Sequence, residues 1–356
     1  MQIKIEELLK LAVANKASDL HLSVNTIPKI RINGELIEVT SFRGIESSEM
    51  ENLMMSILTE EQKLILKTER ELDFSVATGE DRFRVNMYFQ KGMLSAALRV
   101  VASTIPTFEE LGLPSILEDI IKQKQGFVLV TGPTGHGKST TVASAINKIN
   151  NDRSCHIVTI EDPVEYVLKP NKSIISQREL GYDTNSFAKA LKSVLRQDPN
   201  VVFVGEMRDL ETISSTITVA ETGHLVFSTL HTNSAAQTID RIIDVFPDSI
   251  KSQIRIQLAE VITAVISQRL IPTVDNNRVA AFEILLANSA IKNIIREGKT
   301  FMIENVMQTS TDVGMINMEA SLARLIKEGR ITEEMGMSYS LRPLELQNKL
   351  RSIKVR

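Results

Sequence analysis

The sequence holds one cysteine, no tryptophan and five histidines in 356 residues. The single thiol, Cys155, can form no internal disulfide and no multi-cysteine zinc site. Aromatic residues make up 4% of the chain, too few to supply the stacking platforms of a single-strand nucleic-acid groove. Neither sign of charge dominates. Lys and Arg number 41 against 44 Asp and Glu, a formal net charge of −3, so no global basic field collects polyanions or anionic lipid. No stretch approaches the ~20 apolar residues of a membrane-spanning helix. Met1–Leu11 carries Lys4, Glu6, Glu7 and Lys10 where a signal peptide would be uninterrupted. A cytoplasmic protein is expected, able to dock on a membrane machine through its surface. What is present, 43% hydrophobic and 24% charged residues, suits ordinary globular domains, and the length predicts two of them.

The first hundred residues read as α+β. Ile5, Leu8, Leu9 and Ala12 share a helical face, and Met50–Leu66 has helical periodicity. Lys29–Ile32 and Glu35–Val39 flank Asn33-Gly34, a hairpin signal. Leu72–Ala77, Arg82–Phe89 and Leu94–Val101 are strand-like, with turns at Gly79-Glu80-Asp81 and Lys91-Gly92. Ala102–Pro114, with Pro106, Gly112 and Pro114, reads as a linker or hinge. Beyond it, apolar strand-sized runs alternate with helices. The strands are Phe127–Thr131, His156–Glu161, Val201–Gly205 and Leu225–Leu230; the helices are Lys138–Asn150, Ser186–Gln197 and Leu210–Glu221. That alternation predicts a mostly parallel sheet covered on both faces. From about Ala235 the chain reads as mainly helical, with a strand at Val279–Leu285.

Gly132-Pro133-Thr134-Gly135-His136-Gly137-Lys138-Ser139 fits the P-loop pattern between a strand and a helix. Its glycines let backbone N–H groups wrap phosphate oxygens, Lys138 brings a positive charge to the β/γ phosphates, and the Ser139 hydroxyl suits Mg²⁺. With Thr140 these residues form the expected nucleotide-binding segment. Two acidic clusters close later strands, where ligands of open α/β sheets collect. The first holds Glu161, Asp162 and Glu165. In the second, Glu206 follows Gly205 where a Walker B motif usually has aspartate. Asp162 and Glu206 join Ser139 as candidate Mg²⁺ residues, and any of the three glutamates could orient or deprotonate the attacking water. His224 opens the next strand and His231 closes it. Their odd spacing sends the rings to opposite faces of an ideal strand. His231 is expected near the γ-phosphate, His224 at a subunit boundary or neighbouring site.

Together these motifs resemble the secretion ATPase superfamily in its PilT branch, the type IV pilus retraction motors. The likeness runs from about residue 5 to 330. It includes Ala17-Ser18-Asp19-Leu20-His21-Leu22, Arg82-Phe83-Arg84-Val85-Asn86, Glu161-Asp162-Pro163, Gly205-Glu206-Met207-Arg208-Asp209, the two histidines, Ile239-Asp240-Arg241 and Ala290-Ile291-Lys292-Asn293-Ile294-Ile295-Arg296-Glu297. The resemblance implies an α/β protein with a PAS-like N-terminal α+β domain (1–101), a hinge (102–114) and a RecA-like P-loop NTPase domain with a helical C-terminal region (115–356). It further implies a homohexamer, with ATP and Mg²⁺ as cofactors and arginines of an adjacent subunit completing the site. Arg82, Arg84 and Arg99 are the arginine candidates, the first two on one strand face. Glu165 is the preferred water-polarising carboxylate over Glu161, with Glu206 supporting Mg²⁺. The partners implied are an inner-membrane, PilC-like platform protein and a paralogous retraction ATPase, with no nucleic acid. The implied location is the cytoplasmic side of the inner-membrane pilus machine.

Three positions depart from the family pattern. His136 stands where serine is usual, with its ring expected to point away from the phosphates; Lys292 replaces arginine and Ile294 replaces leucine. Ile291, Ile294 and Ile295 form a core stripe, leaving Lys292, Asn293, Arg296 and Glu297 to meet a partner. Pilus-extension and type II secretion ATPases are the nearest rival reading, and an accessory, PilU-type retraction ATPase is a second. The first group is longer and commonly carries a four-cysteine zinc element, against the single cysteine here. A ring-shaped nucleic-acid translocase is a rival of another class, disfavoured by the net charge and the scarcity of aromatics.

Overall fold

The computed structural model describes residues 3–32, 34–79, 81–101, 104–275 and 277–354. The chain forms two compact units. One comprises Met1–Thr104 with Pro163–Val167; the other comprises Ile105–Asp162 with Leu168–Arg356.

The first unit opens on α1 (Ile5–Ala14), followed by β1 (Asp19–Ser23), β2 (Lys29–Ile32), β3 (Glu35–Glu38), α2 (Ser47–Met55), α3 (Glu60–Glu69), β4 (Glu71–Thr78), β5 (Asp81–Gln90) and β6 (Met93–Val101). The six strands make one antiparallel sheet in the order β3-β2-β1-β6-β5-β4. Leu8, Leu20, Leu22, Met50, Met54, Phe83, Val85 and Leu98 fill its core. Asn33 of the expected hairpin turn and Glu80 of the next lie outside the described residues, as do Ala102 and Ser103 of the expected hinge. The helix expected over Met50–Leu66 is two helices. Thr59 and Gln62 form a reciprocal capping box that starts α3 afresh, and a capping box signals a helix start more strongly than apolar periodicity signals continuation. β1 carries no strand signal beyond its Asp19-Leu20-His21-Leu22 motif, yet it pairs with both β2 and β6.

The second unit contains α4 (Phe108–Leu111), α5 (Ile116–Ile121), β7 (Gly126–Thr131), α6 (Lys138–Asp152), β8 (His156–Glu161), β9 (Ile174–Glu179), α7 (Phe187–Val194), β10 (Val201–Val204), α8 (Leu210–Glu221), β11 (Leu225–Leu230), α9 (Ala235–Asp244), α10 (Asp248–Val261), β12 (Ile262–Pro272), β13 (Arg278–Leu286), α11 (Ser289–Glu297), α12 (Ile303–Thr309), α13 (Met318–Lys327), α14 (Glu333–Tyr339) and α15 (Pro343–Lys354). Its seven strands run β13-β12-β7-β11-β10-β8-β9, with only β13 antiparallel. The central strands are buried on both faces, which is why they read as unbroken apolar runs. Phe127 and Leu129 belong to one apolar cluster with residues of α7, α8, α9, α10 and α11. Val128 and Val130 belong to a second cluster with residues of α5 and α6. α13 and α15 cover the far end of β12 and β13 through Met318, Leu322, Leu346, Leu350, Ile271 and Ala281. β9 and β12 were not expected. β12 continues directly from α10 with no glycine or proline to mark the change. The fold class is α/β, an antiparallel α+β unit followed by a parallel one. Among the described residues no helix is long and apolar enough to cross a membrane.

Candidate nucleotide site

β7 ends at Thr131, and the chain turns sharply into the P-loop. Gly132, Gly135 and Gly137 adopt φ of +144°, +77° and +81°, a region that side chains avoid. At Gly132 a side chain would also overlap the carbonyl of Gln268. Gly137 is the N-cap of α6 and brings no capping side chain, so the positive N-terminal end of this 15-residue helix faces the loop.

Lys138 is buried at the start of α6. Its ammonium donates to the carbonyls of Gly132 and Pro133, each at 3.0 Å, and lies 3.4 Å from Nδ1 of His231. Nδ1 is also 3.2 Å from the Thr134 hydroxyl, and Nε2 is 3.1 Å from Oε2 of Glu206. A carboxylate accepts and an ammonium donates, so this pairing fits the neutral tautomer with the proton on Nε2. Burial, with Lys138 and Arg208 nearby, lowers the His231 pKa from its ordinary value and supports that state. Glu206 also pairs with Arg208. The ends of β7, β10 and β11 thus meet in one chain of contacts: Thr134 and Lys138, His231, Glu206, Arg208.

Glu161 ends β8 and is buried, accepting from Thr159 Oγ1 at 2.7 Å and Gln177 Nε2 at 3.2 Å. Gly205 N–H donates to Ile160 O at 2.8 Å, and its missing side chain lets it approach the Glu161 backbone. This juxtaposes the ends of β8 and β10. Asp162 follows, exposed. Glu165 is exposed and belongs to the Pro163–Val167 segment grouped with the first unit.

The three arginines lie on the first unit's sheet. Arg84 is exposed and stands directly across from Arg99 on β6, with Arg82 two residues earlier on the same strand. Arg99 donates to Asp19 at 2.9 Å. Burial opposes the charge of Asp19, but the Ser18 hydroxyl and Arg99 outweigh it and hold its pKa below the ordinary value. His224 sits at the start of β11, at the opposite end of the sheet from the P-loop. Its Nδ1 is 2.9 Å from Val219 O and 3.0 Å from the Thr222 hydroxyl, and it takes no part in the His231 network.

Among the described residues no three His, Cys, Asp or Glu side chains gather as a metal cluster. Ser139 and Glu206 offer the oxygen donors that suit Mg²⁺ held partly by phosphates rather than by an all-protein cage. Sequence reasoning missed Gln268. Its Nε2 donates to His136 O at 2.6 Å and its Oε1 accepts from Thr141 at 2.8 Å. Only the register of β12, itself unread, reveals this contact.

A strand, P-loop and helix with acids and a histidine at neighbouring strand ends define a RecA-like P-loop NTPase. A family model described as "Type II/IV secretion system protein" matches residues 1–337, and the chain belongs to that family. It is 48% identical over 309 residues to a twitching motility protein of Neisseria gonorrhoeae, covering 86% of this chain and 82% of the relative. It is 44% identical over 331 residues to the type IV pilus retraction ATPase PilT of Pseudomonas aeruginosa, covering 93% and 96%. A crystal structure of the pilus retraction motor PilT with bound ADP superposes with a TM-score of 0.91 at 46% identity, covering 97% of this chain and 99% of that one.

Proposed function

We propose that this chain is an ATP-hydrolysing motor of type IV pilus retraction. It works as a homohexamer on the cytoplasmic side of the inner membrane, against a PilC-like platform protein and beside a paralogous retraction ATPase. The observation that carries the reading is the contact chain from Lys138 through His231 to Glu206, set on a P-loop in a chain so similar over its length to a retraction ATPase.

Phosphoryl transfer to water asks the protein for position and charge rather than a covalent intermediate. The P-loop N–H groups and the α6 N-terminus wrap the phosphates. Lys138 exchanges its two loop carbonyls for phosphate oxygens. Ser139 and Glu206 would hold Mg²⁺, which would supply charge neutralisation to the bound nucleotide. His231 donates from Nε2 to Glu206 and holds that carboxylate, which Arg208 also engages, in a fixed orientation. Glu165 polarises the attacking water, with Glu161, fixed by Thr159 and Gln177, as the alternative. Arg82, Arg84 and Arg99 of a neighbouring copy balance charge in the transition state. The hinge is the stretch that joins the two units near Thr104, whereas α4, inside the expected 102–114 segment, belongs to the second unit.

Lys138→Ala tests the site. Phosphate release by this variant falls at least ~100-fold, the scale of losing a main phosphate-charge contact. Wild-type turnover in Lys138→Ala would remove the P-loop from the mechanism.

A further inference from the structure

β12 is longer than its neighbour. β7 pairs with it from Ile262 to Ser267 and then leaves, at Thr131, to become the P-loop. On the β7 side, therefore, the backbone of residues 268–272 has no strand to bond. Ordinarily an N–H so placed finds a partner, because leaving it unpaired away from water is costly. The P-loop provides that partner. The Nδ1 of His136 accepts the Leu270 N–H at 3.0 Å. Two positions earlier on the same edge, the Gln268 side chain holds the His136 carbonyl at 2.6 Å and the Thr141 hydroxyl at 2.8 Å. At the foot of the loop, the hydroxyls of Thr131 and Ser267 meet at 2.8 Å. The imidazole thus replaces the next strand residue in the ladder.

We propose that His136 is a positioning residue: by accepting the Leu270 N–H it latches the P-loop to the overhang of β12 and holds the loop in the shape that receives ATP. The proposal rests on reading the P-loop as the ATP site. An acceptor at Nδ1 requires the neutral ring with its proton on Nε2. The charged groups around it are Lys138 on α6, Arg269 on β12 and Arg278 on β13, all cationic. Burial first, then these charges, hold the His136 pKa below its ordinary value. Protonation would set N–H against N–H and open the latch. A histidine acting instead as a cation for phosphate would strengthen binding on protonation, so the two roles predict opposite pH dependences.

The test compares His136→Asn, whose amide oxygen can stand near Nδ1, with His136→Phe, which keeps the ring and loses the acceptor. Kd for ATP and steady-state KM and kcat are measured on the full chain. His136→Phe weakens ATP binding ~5–10-fold, the factor one hydrogen bond carries, with kcat little changed. His136→Asn restores binding to within about twofold of wild type. From about pH 7.5 to about pH 5.5, across the histidine range, KM rises in wild type relative to His136→Asn. The pH arm needs no folded Phe variant. Wild-type binding by His136→Phe, binding by His136→Asn as weak as by Phe, or tighter wild-type binding at low pH would each overturn the latch. Lys138→Ala is assayed alongside. If it turns over ATP like wild type, the P-loop reading fails; if it is inactive while His136→Phe binds normally, only the latch fails.

Discussion

Glu283 on β13 is 2% exposed, and its Oε1 accepts the Ala235 N–H at the start of α9 at 2.7 Å. Burial pushes its pKa up to about 7, reinforced by Glu319 and Glu304 and opposed by the Ala235 bond and Arg342. The unfolded chain gives up this proton at a lower pH than the folded one. Stability from the protonated group is therefore fully present below the unfolded value of 4.5 and is lost as pH rises through about 7. Glu283→Gln keeps an acceptor for Ala235 and cannot ionise. It should be more stable than wild type near pH 8 by up to about 3 kcal/mol, with the gap closing near pH 4.5. Denaturant midpoints at both pH values check this, and an equal gap at both would sink it. At this scale the sequence disclosed what chemistry dictates by residue type. Gly132 to Ser139 could be read because phosphate binding needs glycines and a lysine at fixed spacing. Arg99–Asp19 and Gln268–His136 could not, because they depend on strand register between segments far apart in the chain.

α11 shows how far periodicity carries an element. Ile291, Ile294 and Ile295 are buried among the residues of the second unit's core. The helix starts on the Asn288 side chain, which accepts Ile291 N–H at 3.0 Å, and stops at Gly298 with φ of +69°. Lys292, expected on the partner-facing side with Asn293, Arg296 and Glu297, is instead half-buried and donates to Glu260 O at 3.1 Å, tying α11 to the end of α10. That leaves Asn293, Arg296 and Glu297 exposed. Ile295→Ala should lower stability by about 2–5 kcal/mol, measured by denaturant unfolding. Replacing Asn293, Arg296 and Glu297 together by alanine should preserve ATP turnover and remove pilus retraction; normal retraction in that variant would deny the helix a coupling role. Elements with clear breaks or runs, such as β7, β8, α8 and β11, were legible. The edge strand β9 was not, because its outer position leaves Ile174 exposed among polar neighbours. β12 was hidden because its apolar run merges with the end of α10.

For the whole molecule the decisive property is direction, assembly or retraction, and both use the same chemistry at the P-loop. The net charge of −3 offers no global basic field to a nucleic-acid track, and one cysteine cannot build a multi-cysteine zinc element, but neither says which way a pilus moves. Direction shows only in the organism. If this chain retracts pili, deleting its gene leaves the extension motor running. Filaments then accumulate on the surface while twitching stops, because surface motility needs the pull as well as the push. If the chain instead assembles pili, the same deletion strips the surface bare. Electron microscopy of surface pili and a twitching assay on one strain separate the two. The expected result is many pili and no twitching. Returning the wild-type gene should restore twitching and reduce pili. Returning Lys138→Ala should do neither, since the filament is withdrawn by hydrolysis and not by the presence of the protein. A deletion strain without pili would overturn retraction, whereas rescue by Lys138→Ala would keep the direction and overturn the P-loop as its source of work.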